Sequence, residues 1–171
     1  MAPLSPVVWK FHTDMARRLF SALILVWFSC FGAIAIAQNS DTDPEILVAL
    51  YNSTNGDSWR YNSGWLTEED HCDWFGVFCT DADGVVTSIS LYENQLTGSI
   101  PSELGSLSSL QRLTLSDNEL TGSIPAELGN LSSLESLFLN GNQLTGSIPA
   151  ELGSLSSLQR LTLSDNDLTG S

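Results

Sequence analysis

Residues 110–134 read LQRLTLSDNELTGSIPAELGNLSSL, and this stretch decides the fold. Leu113-Thr114-Leu115 alternates with period two, so Leu113 and Leu115 point into a core while Arg112, Thr114 and Ser116 face outward from a short strand. Asn118 stands where the strand turns away, and backbone groups leaving a sheet there need a partner that both donates and accepts. Leu120 and Ile124 return to the core, and Gly122 permits a tight bend. Pro125 with Glu127 opens a short helical turn that Gly129 is expected to end, with Leu128, Leu131 and Leu134 along its inner side.

The pattern returns every 24 residues, which makes Leu91, Leu115, Leu139 and Leu163 equivalent positions. A fixed period of this size predicts a solenoid, in which each unit buries its apolar side against its neighbours and the strands stack into a parallel sheet. Asn94, Asn118, Asn142 and Asn166 then form a column along it. Residues 91–114 and 139–162 differ only at Tyr92/Asn140, Glu93/Gly141 and Ser102/Ala150. No unit buries its apolar side alone, so both ends of the stack need covers. The last copy runs to Leu168-Thr169-Gly170-Ser171, short of the Ile-Pro that continues the earlier ones. That is the pattern expected of a fragment of a longer protein. The alternative is an exposed last turn covered by another chain through self-association.

Upstream of the repeats, the residues read as an end cap. Asp43-Pro44-Glu45 predicts a helix start, with Asp43 as N-cap and Pro44 at the first helical position. Ile46, Leu47 and Leu50 put apolar groups on one face until Asn55-Gly56 stops the helix. Trp59, Trp65 and Trp74 are expected to seal the open end of the core; the competing use of so many indoles is a stacking platform for a glycan or nucleic acid. Cys72 and Cys79 form an isolated pair, which in an oxidising compartment means a disulfide. A metal centre would need further Cys or His ligands, and only His71 stands beside the pair, so no metal is expected.

Arg17 and Arg18 precede an apolar run from Leu19 to Ala35, and Ala35-Ile36-Ala37 precedes Gln38. This is the pattern of a secretory signal peptide cleaved after Ala37, with Met15 as an alternative start. The competing reading is an uncleaved anchor, since Leu19 to Ala37 is long enough to span a bilayer. The expected organisation is therefore a leader at 1–37, which also holds Cys30, a cap at 38–84, and repeats at 85–171 with the last one truncated. The 171 residues carry 6 Lys+Arg against 20 Asp+Glu, a net charge of -14. Loss of the leader removes Lys10, Arg17, Arg18 and Asp14 and leaves Arg60, Arg112 and Arg160 as the cations. This balance excludes a nucleic-acid footprint and repels anionic lipid.

The motif Leu-x-x-Leu-x-Leu-x-x-Asn-x-Leu-x-Gly-x-Ile-Pro-x-x-Leu-Gly resembles the plant-type leucine-rich repeat, and Cys72-Asp73-Trp74-Phe75-Gly76-Val77-Phe78-Cys79 resembles its N-terminal cap. The likeness covers Asp43 to Ser171. Such modules occur in receptor-like kinases, receptor-like proteins and secreted polygalacturonase inhibitors. The resemblance implies an α/β repeat solenoid with a parallel sheet on the concave face, short helical or 3-10 turns on the convex face, and a helical, disulfide-bonded cap. It also implies a second short sheet from the Leu-Thr-Gly-Ser segments, and an extracellular recognition domain whose ligands meet the concave face.

The candidate surface on that face is formed by the outward strand positions Ser88, Ser90 and Tyr92; Arg112, Thr114, Ser116 and Asp117; Ser136, Phe138 and Asn140; and Arg160, Thr162, Ser164 and Asp165. Of these, Tyr92, Arg112, Thr114, Ser116, Asp117, Phe138, Asn140, Arg160 and Thr162 are the candidate ligand contacts. Tyr92, Arg112, Phe138 and Arg160 are its large groups, and aromatic and arginine side chains dominate interface energetics. The units beginning at 115 and 139 differ at seven positions, of which 116/140, 117/141, 136/160 and 138/162 fall on this face. Asn52-Ser53-Thr54 and Asn130-Leu131-Ser132 are N-glycosylation sequons expected away from it.

The expected function is recognition of a protein or peptide ligand, with a glycan as an alternative partner and no nucleic acid. The expected location is secreted or on the extracellular side of the plasma membrane, with membrane attachment only through a C-terminal span beyond Ser171 or an uncleaved leader. Beyond the leader the chain has one histidine, no lysine and no phosphate-binding loop, so neither an enzyme nor a cofactor is expected. Two other readings stand beside recognition. One is a structural or surface-active protein, such as a matrix component or an ice-adsorbing solenoid with ranks of Thr97, Thr121, Thr145 and Thr169. The other is an inhibitor of a secreted hydrolase.

Overall fold

The computed structural model describes residues 43–67, 69–80 and 84–170. The expected leader and its cleavage site lie outside them. Strands β1 (Val77–Cys79), β2 (Val86–Ser90), β4 (Arg112–Thr114), β6 (Ser136–Phe138) and β8 (Arg160–Thr162) form one five-stranded sheet in that order. The first pair is antiparallel and the rest are parallel. On the other side of each bend, β3 (Thr97–Ser99) pairs with β5 (Glu119–Thr121), and β7 (Thr145–Ser147) with β9 (Asp167–Thr169). A bridge from Ser123 to Thr145 links these two pairs, so the Leu-Thr-Gly-Ser segments do make a second, narrower sheet surface. Each coil closes through a 3-10 turn, at Ser102–Ser106, Ala126–Asn130 and Ala150–Ser154.

The core follows the repeat. Leu91, Leu115 and Leu139 have no exposed surface, nor do Leu96, Leu120 and Leu144 one turn later. The polar cost of turning out of the sheet is met by the asparagine column. Asn118 Nδ2 donates to Leu91 O at 2.8 Å, to Leu115 O at 3.0 Å and to Ser116 O at 3.0 Å. Its Oδ1 accepts from the N–H groups of Asn94 at 2.9 Å and Leu96 at 3.0 Å. Asn142 and Asn166 repeat the arrangement one and two coils on. Asn94 joins it to the cap, accepting from Tyr61 N at 2.7 Å and donating to Tyr61 O at 3.0 Å.

Gly129 has a different role from the expected one. The 3-10 turn runs through it to Asn130 instead of ending there. A Cβ at Gly129 would collide with Glu151 O of the next coil, and one at Gly105 with Glu127 O. Glycine is set here by the distance between stacked coils, since the two backbones approach too closely for any side chain.

The cap forms as expected around helix α1 (Asp43–Ser53), which buries Ile46, Leu47, Leu50 and Tyr51. Tyr51 stacks on Trp65 with ring centres 5.7 Å apart, Trp59 meets Trp65 edge-on at 4.9 Å, and Trp74 lies 5.0 Å beyond Trp65. The indole N–H groups of Trp59 and Trp65 donate to Thr54 O and Phe75 O, both at 2.9 Å. Trp74 Nε1 is buried without a partner. Asp43 departs from its expected part. It is buried, and its Oδ2 accepts from Val86 N at 2.9 Å, 43 residues away. The carboxylate ties the helix to the first parallel strand, an interaction that local capping rules do not register. Cys72 and Cys79 are bonded, with Cα atoms 5.6 Å apart.

Candidate functional site

Strand register arranges the outward side chains into rows. One row reads Phe78, Ser88, Arg112, Ser136, Arg160; the next reads Ser90, Thr114, Phe138, Thr162. Phe78, Ser88, Ser90, Arg112, Thr114 and Phe138 line a shallow depression of ≈ 470 Å³. Its lining combines the hydroxyl groups of Ser88, Ser90 and Thr114 with the rings of Phe78 and Phe138 and the Arg112 guanidinium.

Three of the candidate ligand contacts, Arg112, Thr114 and Phe138, therefore share this depression with the outward Ser88 and Ser90. Arg160 extends the first row and places Nη1 3.4 Å from Ser136 Oγ. Thr162 Oγ1 donates to Asn140 Oδ1 at 2.9 Å, so these two satisfy one another. Tyr92, 59% exposed, lies past the end of its strand, outside the depression. Asp117 is exposed with φ 56°, and its equivalents Glu93, Gly141 and Asp165 share the left-handed conformation at 49°, 66° and 55°. The 117/141 difference thus sits where the backbone itself favours glycine or aspartate.

Ser116 is not part of the surface, being only 8% exposed. Strand alternation points it outward, but the turns on either side close over it. Glu93 N donates to Ser116 O at 3.1 Å on one side, and Asp117 N donates to Asn140 O at 2.9 Å on the other. Ser164, its equivalent in the last described coil, is exposed. Conversely, Phe78 belongs to the surface and was not among the expected residues. It is 56% exposed because β1 pairs antiparallel with β2 and places Phe78 opposite Ser88. The alternation of Val77, Phe78 and Cys79 carried the signal for its direction, though not for the sheet it joins.

The remaining candidates lie elsewhere. Asn52 and Asn130 are both exposed, at the end of α1 and on a 3-10 turn. His71, Cys72 and Cys79 have ligand atoms within 4.8 Å of one another, but both sulfurs are spent in the disulfide and His71 Nε2 is 2.9 Å from Gly84 O. A bridged cystine is not a thiolate, so this group does not suit a metal ion. Thr121 and Thr145 are exposed, and their hydroxyls donate to the preceding coil, to Gly98 O at 3.0 Å and Gly122 O at 3.4 Å. Among the described residues, no helix is long and apolar enough to cross a membrane.

Comparison with known proteins agrees with this architecture. A probable leucine-rich repeat receptor-like protein kinase of Arabidopsis thaliana is 39% identical over 99 residues, which cover 57% of this chain and 10% of the kinase. A polygalacturonase inhibitor of Pyrus communis is 31% identical over 100 residues, covering 58% of this chain and 30% of the inhibitor. Among solved structures, that of PEPR1-AtPEP1 superposes with a TM-score of 0.66 at 34% identity, over 75% of this chain and 18% of that one. The plant peptide hormone receptor RGFR1 in complex with RGF2 gives 0.50 at 41% identity, over 58% of this chain and 19% of that one. The chain thus spans a tenth to a third of the length of these relatives. Residues 40–80 match the leucine rich repeat N-terminal domain, and residues 86–107, 109–131 and 132–171 match leucine rich repeats, so the chain belongs to the leucine-rich repeat family.

Proposed function

We propose that the chain is an extracellular recognition module whose outward sheet face binds a peptide, either free or as a segment of a protein. The observation that carries this reading is the depression lined by Phe78, Phe138, Ser88, Ser90, Arg112 and Thr114. Aromatic rings and an arginine beside hydroxyl groups give anchor contacts together with donors and acceptors for a main chain. The similarity to receptor kinases, and to a receptor solved with a peptide hormone, supports the reading. Export through the 1–37 leader and N-glycosylation at Asn52 and Asn130 belong to the same proposal; both asparagines stand clear of the sheet face.

Panning a random peptide library on the purified protein tests it. Peptides should be enriched whose binding is lost in Phe138→Ala and Arg112→Ala; failure to enrich any peptide sensitive to these changes would refute the reading. A second reading, inhibition of a secreted hydrolase, is favoured by the similarity to the pear inhibitor. It requires stoichiometric loss of polygalacturonase activity on titration with the protein.

A further inference from the structure

The first row of the outward face carries a large side chain on every second strand. Phe78, Arg112 and Arg160 are separated in register by Ser88 and Ser136. Neighbouring strands lie about 4.8 Å apart, so these three groups repeat at roughly 9.6 Å along the solenoid axis. A β-type segment laid across the strands does not match, because its same-face residues recur at about 6.8 Å. A polyproline-II segment does. It has three residues per turn and rises about 3.1 Å per residue, so positions i, i+3 and i+6 share one face at intervals of about 9.3 Å.

Charge selects what those positions carry. Arg112 and Arg160 are exposed, and among the described residues no carboxylate lies within ion-pair distance of either. Arg160 has the Ser136 hydroxyl at 3.4 Å. The exposed acids that precede or follow these strands, Asp117, Glu135 and Asp165, stand outside the row. In a chain of net charge -14, two unpaired guanidinium groups in one row form a local exception. The distant acidic charge is screened beyond about 8 Å at physiological salt, whereas a carboxylate in contact with a guanidinium gains charge-assisted hydrogen bonds. At the other end of the row, Phe78 offers an aromatic face, and such faces suit a polyproline-II chain that is ordered before it binds.

We infer that this face takes a polyproline-II segment with an apolar or prolyl residue over Phe78 and acidic residues three and six positions from it, opposite Arg112 and Arg160. The inference rests on the peptide-recognition reading above and adds the ligand's conformation and charge spacing.

Fluorescence anisotropy with the purified chain tests it. The probe is Phe-Pro-Pro-Glu-Pro-Pro-Glu-Pro, synthesised in both chain directions, with one control in which glutamine replaces glutamate and another with the glutamates two positions apart. The three-residue spacing should bind at least about tenfold more tightly than either control in one direction, and should weaken as salt is raised. Arg112→Gln and Arg160→Gln, each with an unchanged unfolding midpoint, should each cost about tenfold. Equal affinity for the glutamate and glutamine peptides on the wild-type protein would overturn the inference whatever the variants do. The random library separates the two levels of the claim. Enriched peptides that need Phe138 but lack acids three apart would overturn the inference and leave peptide recognition standing. If no peptide is enriched, both fall.

Discussion

Asn94 and Asn118 are successive rungs of one ladder, and the second holds the first: the Asn94 N–H donates to Asn118 Oδ1 at 2.9 Å. Both side chains are buried, and Asn118 makes four further hydrogen bonds spread over two coils. Replacing it with leucine would leave several buried donors and acceptors unpaired, each costing about 1–3 kcal/mol. Asn118→Leu should therefore destabilise by roughly 3–5 kcal/mol in urea unfolding. In the 171-residue chain Asn166→Leu, in a rung that is only partly buried, should cost less than half of that. Equal losses at the two positions would mean that the ladder's bonds do not depend on burial.

Gly129 and Gly153 occupy equivalent places in successive coils but have different surroundings. A Cβ at Gly129 would meet Glu151 O, whereas nothing lies within 4 Å of one at Gly153. Gly129→Ala should lower stability by about 1–3 kcal/mol through forced separation of the coils. In the 171-residue chain Gly153→Ala should change it by less than about 0.5 kcal/mol, because no described residue lies within 4 Å of an added methyl there. Thermal unfolding of the two variants decides whether coil spacing is the constraint.

The leucine positions, the asparagine column and the order of the large sheet were legible because each depends on a period within one unit and on repetition of that unit. Stacking identical units brings identical positions into register, as Leu113, Leu137 and Leu161 show. What was misread depends on contacts between coils or across the cap. Ser116 is closed in by its neighbours' turns, Gly129 is fixed by the carbonyl of Glu151, and Asp43 bonds to a strand 43 residues away. Phe78 reaches the candidate site through an antiparallel pairing that lies outside the repeat. Two of the expected site residues, Asn140 and Thr162, prove to be partners of each other, a cross-strand pairing that sequence order alone does not display.

Glu93 holds a φ of 49° at a position where the third repeat has Gly141 with a φ of 66°. A side chain in this region of backbone space is strained by roughly 1–2 kcal/mol, and glycine relieves the strain at some cost in unfolded-chain entropy. Glu93→Gly should be neutral to stabilising by up to about 1 kcal/mol, seen as a raised urea midpoint. Glu93→Val should be clearly destabilising, since a β-branched residue fits the left-handed region poorly. If the glycine variant loses stability, then contacts of the Glu93 side chain outweigh its backbone strain.

Tyr51 links the cap to alkaline stability. Burial raises its phenol above the usual tyrosine value, and the Asp57 carboxylate, which accepts the hydroxyl at 2.9 Å and repels a phenolate, raises it further. The neutral form is thus preferred more strongly in the folded chain than in the unfolded one. A group whose folded pKa is raised contributes stability that is fully present below its unfolded value near 10 and is lost as the pH climbs through the folded value. Unfolding free energy should therefore fall above about pH 10 in the wild-type protein. Tyr51→Phe should be less stable at neutral pH by roughly 1 kcal/mol, because the hydrogen bond to Asp57 is lost. Its curve should nevertheless run flatter than the wild type above pH 10, since the group that titrates has been removed. Parallel curves for the two proteins between neutral and alkaline pH would show that Tyr51 ionises no less readily in the fold than in the unfolded chain, and that the alkaline limit lies with other groups.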